Sequence, residues 1–259
     1  MLLAVDVGNS QTVIGVFEGE KLAQQWRIST DARRTADEFA LLFQGLMAFE
    51  NLSFSRNVHG VVISSVVPFV TEMLREMTNR YFHFAPIVVE PGTKTGIAIK
   101  MDNPREVGAD RLVNALAAYA EYGGPGVVVD FGTATSFDVF NGKGEFIGGA
   151  IAPGVQTSMA ALTARGAQLR NVELVKPRFA IGRSTVEAMQ SGAVYGFAGQ
   201  VDRIILEIAD ELADETGADP VVVATGGLAP AVVEACTQID HHDPWLTLKG
   251  LRLVWERNT

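Results

Sequence analysis

The sequence predicts an α/β protein built from two duplicated halves, each a mixed β-sheet flanked by helices. Three observations carry that expectation. An apolar strand ends in Asp-x-Gly in AVDVGNSQT, residues 4 to 12, and the same Asp and Gly return 124 residues later in VVDFGTATS, 128 to 136. Each copy is followed at once by a second strand-like run, TVIGVFEG and TSFDVFNG. Each half then continues through helix and strand patterns in a similar order, as a duplicated supersecondary plan requires.

The elements follow in chain order. LLAVDV, TVIGVF and KLAQQWRIS read as three short strands joined by tight turns at Gly-Asn-Ser and Gly-Glu. TADEFALLFQGLMAFE is apolar at Phe39, Leu42, Phe43, Leu46 and Met47, the spacing of one helical face. GVVISSV reads as a buried strand, and Pro68 opens a helix through VTEMLREMTNRY. PREVGADRLVNALAAYAEY reads as one helix, with Asn103 as N-cap, Pro104 at its first position and Glu106 completing a capping box. The plan restarts after GGPG, 123 to 126: GVVVDFG, TSFDVF and EFIGGAIAP give three strands, then helices, then PVVVATGG as a strand and LAPAVVEA as a short helix. GGPG precedes its strand, so it reads as a linker turn, not as a dinucleotide fingerprint.

Composition narrows the class. With 47% hydrophobic residues the chain can bury a substantial core, and its 259 residues suit two modest domains. A net charge of −9 argues against a general nucleic-acid surface, which needs a Lys/Arg excess. Anionic small molecules remain open, since local N–H donors bind phosphate inside acidic proteins. Cys236 is the sole cysteine, so no intrachain disulfide forms and a reducing compartment fits. The start MLLAVDVG lacks a basic segment before its apolar residues, and no apolar run approaches a membrane span. The expectation is a cytoplasmic protein with no membrane contact.

The two Asp-x-Gly hairpins suggest phosphate chemistry. Backbone N–H groups reach phosphate oxygens only where no side chain intervenes, which asks for glycine. A neighbouring hydroxyl or amide adds a donor, and a strand-end carboxylate holds a cation that screens the phosphates. Asp6-Gly8-Asn9-Ser10 and Asp130-Gly132-Thr133-Thr135 both supply that set. A Walker-type loop, H-E-x-x-H and G-x-S-x-G are all missing from the chain.

Paired hairpins of this kind resemble the nucleotide cleft shared by actin, hexokinase and the heat-shock chaperones. That resemblance implies two ribonuclease H-like (actin-like ATPase) domains, drawn at 1–117 and 118–259, with an interdomain cleft. ATGG, 224 to 227, resembles the adenosine-side glycine loop, although by itself it reads more readily as an ordinary strand-to-helix turn.

DNPREVGADR, 102 to 111, is the most specific stretch. The predicted helix buries Ala109, Leu112, Val113, Leu116, Ala117 and Ala120, leaving Asp110 and Arg111 off that stripe. Gly108 inside a helix costs on the order of 1 kcal/mol against alanine, so something should need the room. By spacing alone the pair also reads as a solvated Asp–Arg contact.

DVGNS, SSVVP, DNPREVGADR, DFGTATSFD, GGAIAPG and GRSTVEAMQSG occur in this order and together resemble type III pantothenate kinase over essentially the whole chain. The resemblance implies ATP-dependent phosphorylation of pantothenate to 4'-phosphopantothenate, the first step of coenzyme A biosynthesis. By position, Asp110 would be the catalytic base, with Gly108, Ala109, Arg111 and Thr185 at the pantothenate site. Asp6, Val7, Gly8, Asn9, Ser10, Gln11, Thr12, Val13 and Thr133 would hold ATP. Asp130 would bind a monovalent cation, potassium or ammonium, and magnesium would accompany ATP. A homodimer with Thr185 near its interface is also implied.

Other readings stand beside these. Ser184, Thr185 and Glu187 also suit a helix N-terminus, with Ser184 capping and Glu187 returning the bond. Ser191, Gly192, Ala193 and Gly196 suit close helix packing, within the fold or across a dimer. Asp240-His241-His242-Asp243 has the composition of a metal cluster but reads better as an exposed loop, and Cys236 as a small core residue. Met101 stands where the family commonly places tyrosine, and Ser10 where threonine is commoner. The competing functions are a catalytically weak regulatory homologue, or another sugar or acid kinase or phosphatase using the same cleft.

Overall fold

The computed structural model describes residues 1–166 and 169–259; for Ser55 and residues 214–216 it describes the backbone alone. In chain order the elements are β1 (Leu2–Val7), β2 (Gln11–Glu18), β3 (Lys21–Ser29), α1 (Ala36–Phe49), α2 (Phe54–Asn57), β4 (Gly60–Ser65), α3 (Pro68–Phe82) and β5 (Ile87–Val88). After a 3-10 turn at Pro104–Glu106 come α4 (Ala109–Tyr122), β6 (Gly126–Phe131), β7 (Ala134–Phe140), β8 (Phe146–Pro153), α5 (Val155–Arg165) and α6 (Thr185–Thr216). The chain continues through β9 (Val221–Thr225), α7 (Ala229–Val233), β10 (His241–His242) and α8 (Leu246–Asn258).

Two five-stranded mixed sheets result, ordered β3-β2-β1-β4-β5 and β8-β7-β6-β9-β10. The order is the same in both: a central strand pairs antiparallel with the next strand in sequence and parallel with the one after the crossover. The expected duplicated α/β plan is therefore present. One compact unit comprises residues 1–96, 103–117 and 247–259; the other comprises 97–102 and 118–246.

In the first unit, alternation along each strand sends two sets of side chains to opposite faces. Leu3, Val5, Val7, Ile14, Val16, Val61 and Ile63 join Phe39 and Phe43 of α1 and Val70, Leu74 and Met77 of α3 in one core. Thr35 starts α1 with a reciprocal capping box to Glu38, whose carboxyl is held below its usual range by the Thr35 backbone N–H and then its hydroxyl. α8, for which the sequence offered no expectation, covers the opposite face. A Cβ on Gly15 would come within 2.7 Å of Leu248, and one on Gly60 within 2.6 Å of the Trp255 indole nitrogen. Gly250 of the same helix lies directly on the Val113 carbonyl, and Thr247 Oγ1 donates to Asn114 Oδ1 at 2.7 Å.

That packing corrects the expected single stripe on α4. Residues 112–118 are all buried, including Asn114 and Ala115, because α8 lies on the flank that the sequence pattern leaves open; Ala120, expected inside, is exposed. The second core gathers Val127, Val129, Phe131, Phe137 and Val139 with Ala198, Val201 and Ile205 of α6 and Val232 of α7. Among the described residues, no helix is long and apolar enough to cross a membrane.

Four of the sequence's loose residues have structural roles. Asp240 accepts the Val222 N–H at 2.8 Å, Asp243 accepts the Trp245 N–H at 3.0 Å ahead of α8, and His241 stacks on Tyr122. The Cys236 thiol donates to the Val232 carbonyl, and burial, followed by the nearby Asp202 charge, pushes its pKa up to about 12.

Two measurements follow. Gly60→Val should lower stability in urea by about 1–3 kcal/mol through overpacking on Trp255. Gly45→Ala, exposed within α1 with open space around its Cβ, should raise it by roughly 0.5–1 kcal/mol. Alkylation of native Cys236 at pH 8 should be slower by orders of magnitude than in denaturant, and should quicken about tenfold per pH unit as the thiolate fraction grows.

Candidate active site

The Asp6 hairpin is tied at its base. Gly8 N–H donates to the Gln11 carbonyl at 3.0 Å, closing the turn. Thr12 and Thr30 hydroxyls share a 2.9 Å hydrogen bond, and Thr30 donates to the Gly8 carbonyl at 2.8 Å. Thr30, which carries no sequence signal, thereby locks both arms. Asp6 is half-buried at the strand end, while Asn9, Ser10 and Gln11 are exposed at the tip. Val7 and Thr12 are buried opposite one another, and Val13 is half-buried opposite Asp6.

The second hairpin is one residue shorter. Gly132 N–H donates to the Ala134 carbonyl at 3.0 Å, and Asp130 pairs with Ser136 where Asp6 pairs with Val13. In strand register Thr135 therefore matches Thr12. Thr30 has no equivalent hydroxyl; Gly154 follows β8 where Thr30 follows β3, pressed against the Gly132 and Thr133 carbonyls. Thr157 then donates to the Thr133 carbonyl at 2.7 Å. GGAIAPG ends in this Gly154, a close approach that only glycine allows.

ATGG meets the same strand end. Gly226 sits at φ +96° with its Cα against the Asp130 carboxylate, and Leu228 N–H donates to the Phe131 carbonyl at 3.2 Å. Asp130, Gly132, Thr133 and Gly226 thus form one local cluster within the second unit.

The Asp110 segment differs from a single capped helix. The 3-10 turn closes through Glu106 N–H to the Asn103 carbonyl at 3.2 Å, and the Asn103 amide donates to Glu106 at 2.5 Å, so the expected capping box is not formed. Val107 is extended and Gly108 precedes α4. Gly108 consequently bears no helix-interior cost; its missing Cβ makes room for the Asp110 carboxylate, which folds back and accepts the Arg111 N–H at 2.9 Å. Ala109, Asp110 and Arg111 are half-buried in the first turn, where backbone N–H groups favour negative charge. An acid at such a place can take a proton from an alcohol within reach, with Arg111 able to pair an anionic group.

Thr185 begins α6, exposed. Ser184 caps the helix by accepting the Glu187 N–H at 3.2 Å; Glu187 answers at the Arg183 N–H, 2.7 Å, and not at Ser184. Gly108–Arg111 and the Asp6 hairpin belong to the first unit, whereas Asp130, Thr133 and Thr185 belong to the second.

Comparison with known proteins finds relatives along the whole chain. The model of the type III pantothenate kinase family matches residues 2–207. A type III pantothenate kinase of Streptomyces avermitilis is 58% identical, with 100% of this chain and 98% of that one covered. Another, of Thermobifida fusca, is 56% identical over 100% of both. Among solved structures, a Campylobacter jejuni protein assigned to the Baf family of transcriptional activators superposes at TM-score 0.61 with 19% identity, covering 99% and 98% of the two chains. Ethanolamine utilization protein EutJ of Carboxydothermus hydrogenoformans gives 0.55 at 14% identity, covering 97% and 89%. These last two share the fold. The sequence matches, spanning the hairpins and the Gly108–Arg111 turn, make the chain a member of the type III pantothenate kinase family.

Proposed function

We propose that this protein transfers the γ-phosphoryl group of ATP to the primary hydroxyl of pantothenate, giving 4'-phosphopantothenate, the first step of coenzyme A biosynthesis. The single observation that carries the reading is Asp110, half-buried in the first turn of α4 with its carboxylate folded over Gly108. Phosphoryl transfer asks chiefly for alignment and charge neutralisation, with one carboxylate to accept the hydroxyl proton. Asp110 is assigned that role, and Gly108, Ala109, Arg111 and Thr185 line the pantothenate site.

Residues 6–13 and Thr133 are assigned to ATP. Their exposed tips carry an amide and hydroxyls, and both turns are closed by glycine N–H bonds that hold the tip backbone in one shape. Asp130 is assigned to a monovalent cation, potassium or ammonium. A half-buried carboxylate beside glycine backbone offers the oxygen donors that such hard ions take. Magnesium entering with ATP supplies charge neutralisation on the phosphates. Two domains are assigned with their main division after residue 117, residues 247–259 going with the first and 97–102 with the second, and the compartment is assigned as the cytoplasm.

The homodimer draws support from α6 and its approach. Phe179, Ile181 and Val186 around Thr185 are exposed, and a Cβ at Gly192, Gly196 or Gly199 would meet nothing within 4 Å. A helix face so open suits a second copy of the chain.

A coupled assay of purified protein should show pantothenate-dependent ATP consumption, stimulated by potassium. Asp110→Asn should lower kcat by about 100-fold or more with the fold intact by circular dichroism. Folded wild-type protein without pantothenate-dependent turnover would defeat the assignment. Light scattering should give twice the chain mass of 27.8 kDa, and a monomer at assay concentrations would count against the dimer.

A further inference from the structure

SSVVP contains two serines with different fates. Ser65 spends its hydroxyl locally, accepting the Val67 N–H at 3.1 Å and donating to the Val67 carbonyl at 3.2 Å. Ser64 is fully buried, at 0% exposure, and among the described residues its Oγ has no hydrogen-bond partner. Buried hydroxyls are ordinarily paired, because desolvation without a partner is costly. Ser64 sits in parallel register directly beside Asp6, on the same sheet face. The second half repeats the register: Thr225, 1% exposed, lies in parallel register beside Asp130. Val62 and Val223, two residues earlier on these strands, are apolar, so a hydroxyl occurs on this face where the neighbour is the strand-end carboxylate.

We infer that Ser64 and Thr225 are positioning residues, each donating a hydrogen bond that fixes its neighbouring aspartate when the ligand of that aspartate is bound. The inference rests on the assignment of Asp6 to ATP and Asp130 to the monovalent cation. Neither hydroxyl needs to touch the ligand. Ser64 selects the Asp6 rotamer that serves the phosphates, and Thr225 selects the Asp130 rotamer that serves the cation.

The Ser64 test measures binding, independent of turnover, and the Thr225 test reads the potassium dependence of turnover. In calorimetric titrations Ser64→Ala should raise the Kd for magnesium–ATP about tenfold, the worth of a hydrogen bond to a charged group, while the Kd for pantothenate stays within twofold. Its urea midpoint without ligand should equal or exceed that of the wild type, since an unpaired polar group has been removed; a serine needed only for folding would lower it. Thr225→Val should raise the potassium concentration giving half-maximal stimulation several-fold, and Thr225→Ser should restore it. ATP affinity of Ser64→Ala within twofold of the wild type would overturn the inference. Wild-type protein that binds ATP but does not phosphorylate pantothenate would defeat the substrate assignment alone; wild-type protein that binds no ATP would defeat both.

Discussion

The structure turns on how a charged group is brought to the end of a strand that is buried on both faces. β1 and β6 are each paired along both edges and covered above and below, so a carboxylate midway along either would be desolvated without compensation. Asp6 and Asp130 stand one residue before the strand's end, half-buried. There the sheet still fixes the backbone, yet the carboxylate escapes the core. Within each unit the neighbouring parts are arranged about its own strand terminus: the hairpin that follows the strand, the crossover strand beside it, and in the second unit the glycine turn of ATGG.

The two halves keep this geometry while exchanging the parts that hold it. Thr30 joins the first hairpin by side-chain bonds to Thr12 and to the Gly8 carbonyl. Gly154 holds the second by contact with backbone oxygen, and Thr157 adds the bond that a glycine lacks. The shorter second turn puts Ser136, not a valine, across from the aspartate. Duplication has preserved the strand order and the closing glycine N–H, the features that set where the carboxylate lies. The clasp has diverged because several chemistries serve it.

The strands and hairpins were legible in the sequence because their signals are local: alternating apolar runs, Asp-x-Gly at the turn, and Pro68 at a helix start. The Asp110 turn was legible in composition but not in shape. Pro104 and Glu106 suggested a helix continuous with α4, and nothing in the pattern marks Val107 as extended. Glu187 was expected at Ser184 and is bonded to Arg183, a difference of one backbone N–H that spacing does not resolve. The all-round burial of α4 depends on α8, more than 120 residues away in the chain, and Ser64 has meaning only in the register of β1 with β4. Contacts between distant segments leave no periodicity in either partner.

α8 carries a consequence for synthesis. The sheet that is translated first requires, for its second face, a helix translated after the whole of the other unit. Until residues 247–259 leave the ribosome, Gly15 and Gly60 mark a bare apolar surface on the nascent chain. The later half thus has all its strands and core helices available sooner than the earlier one, and maturation runs against the direction of translation.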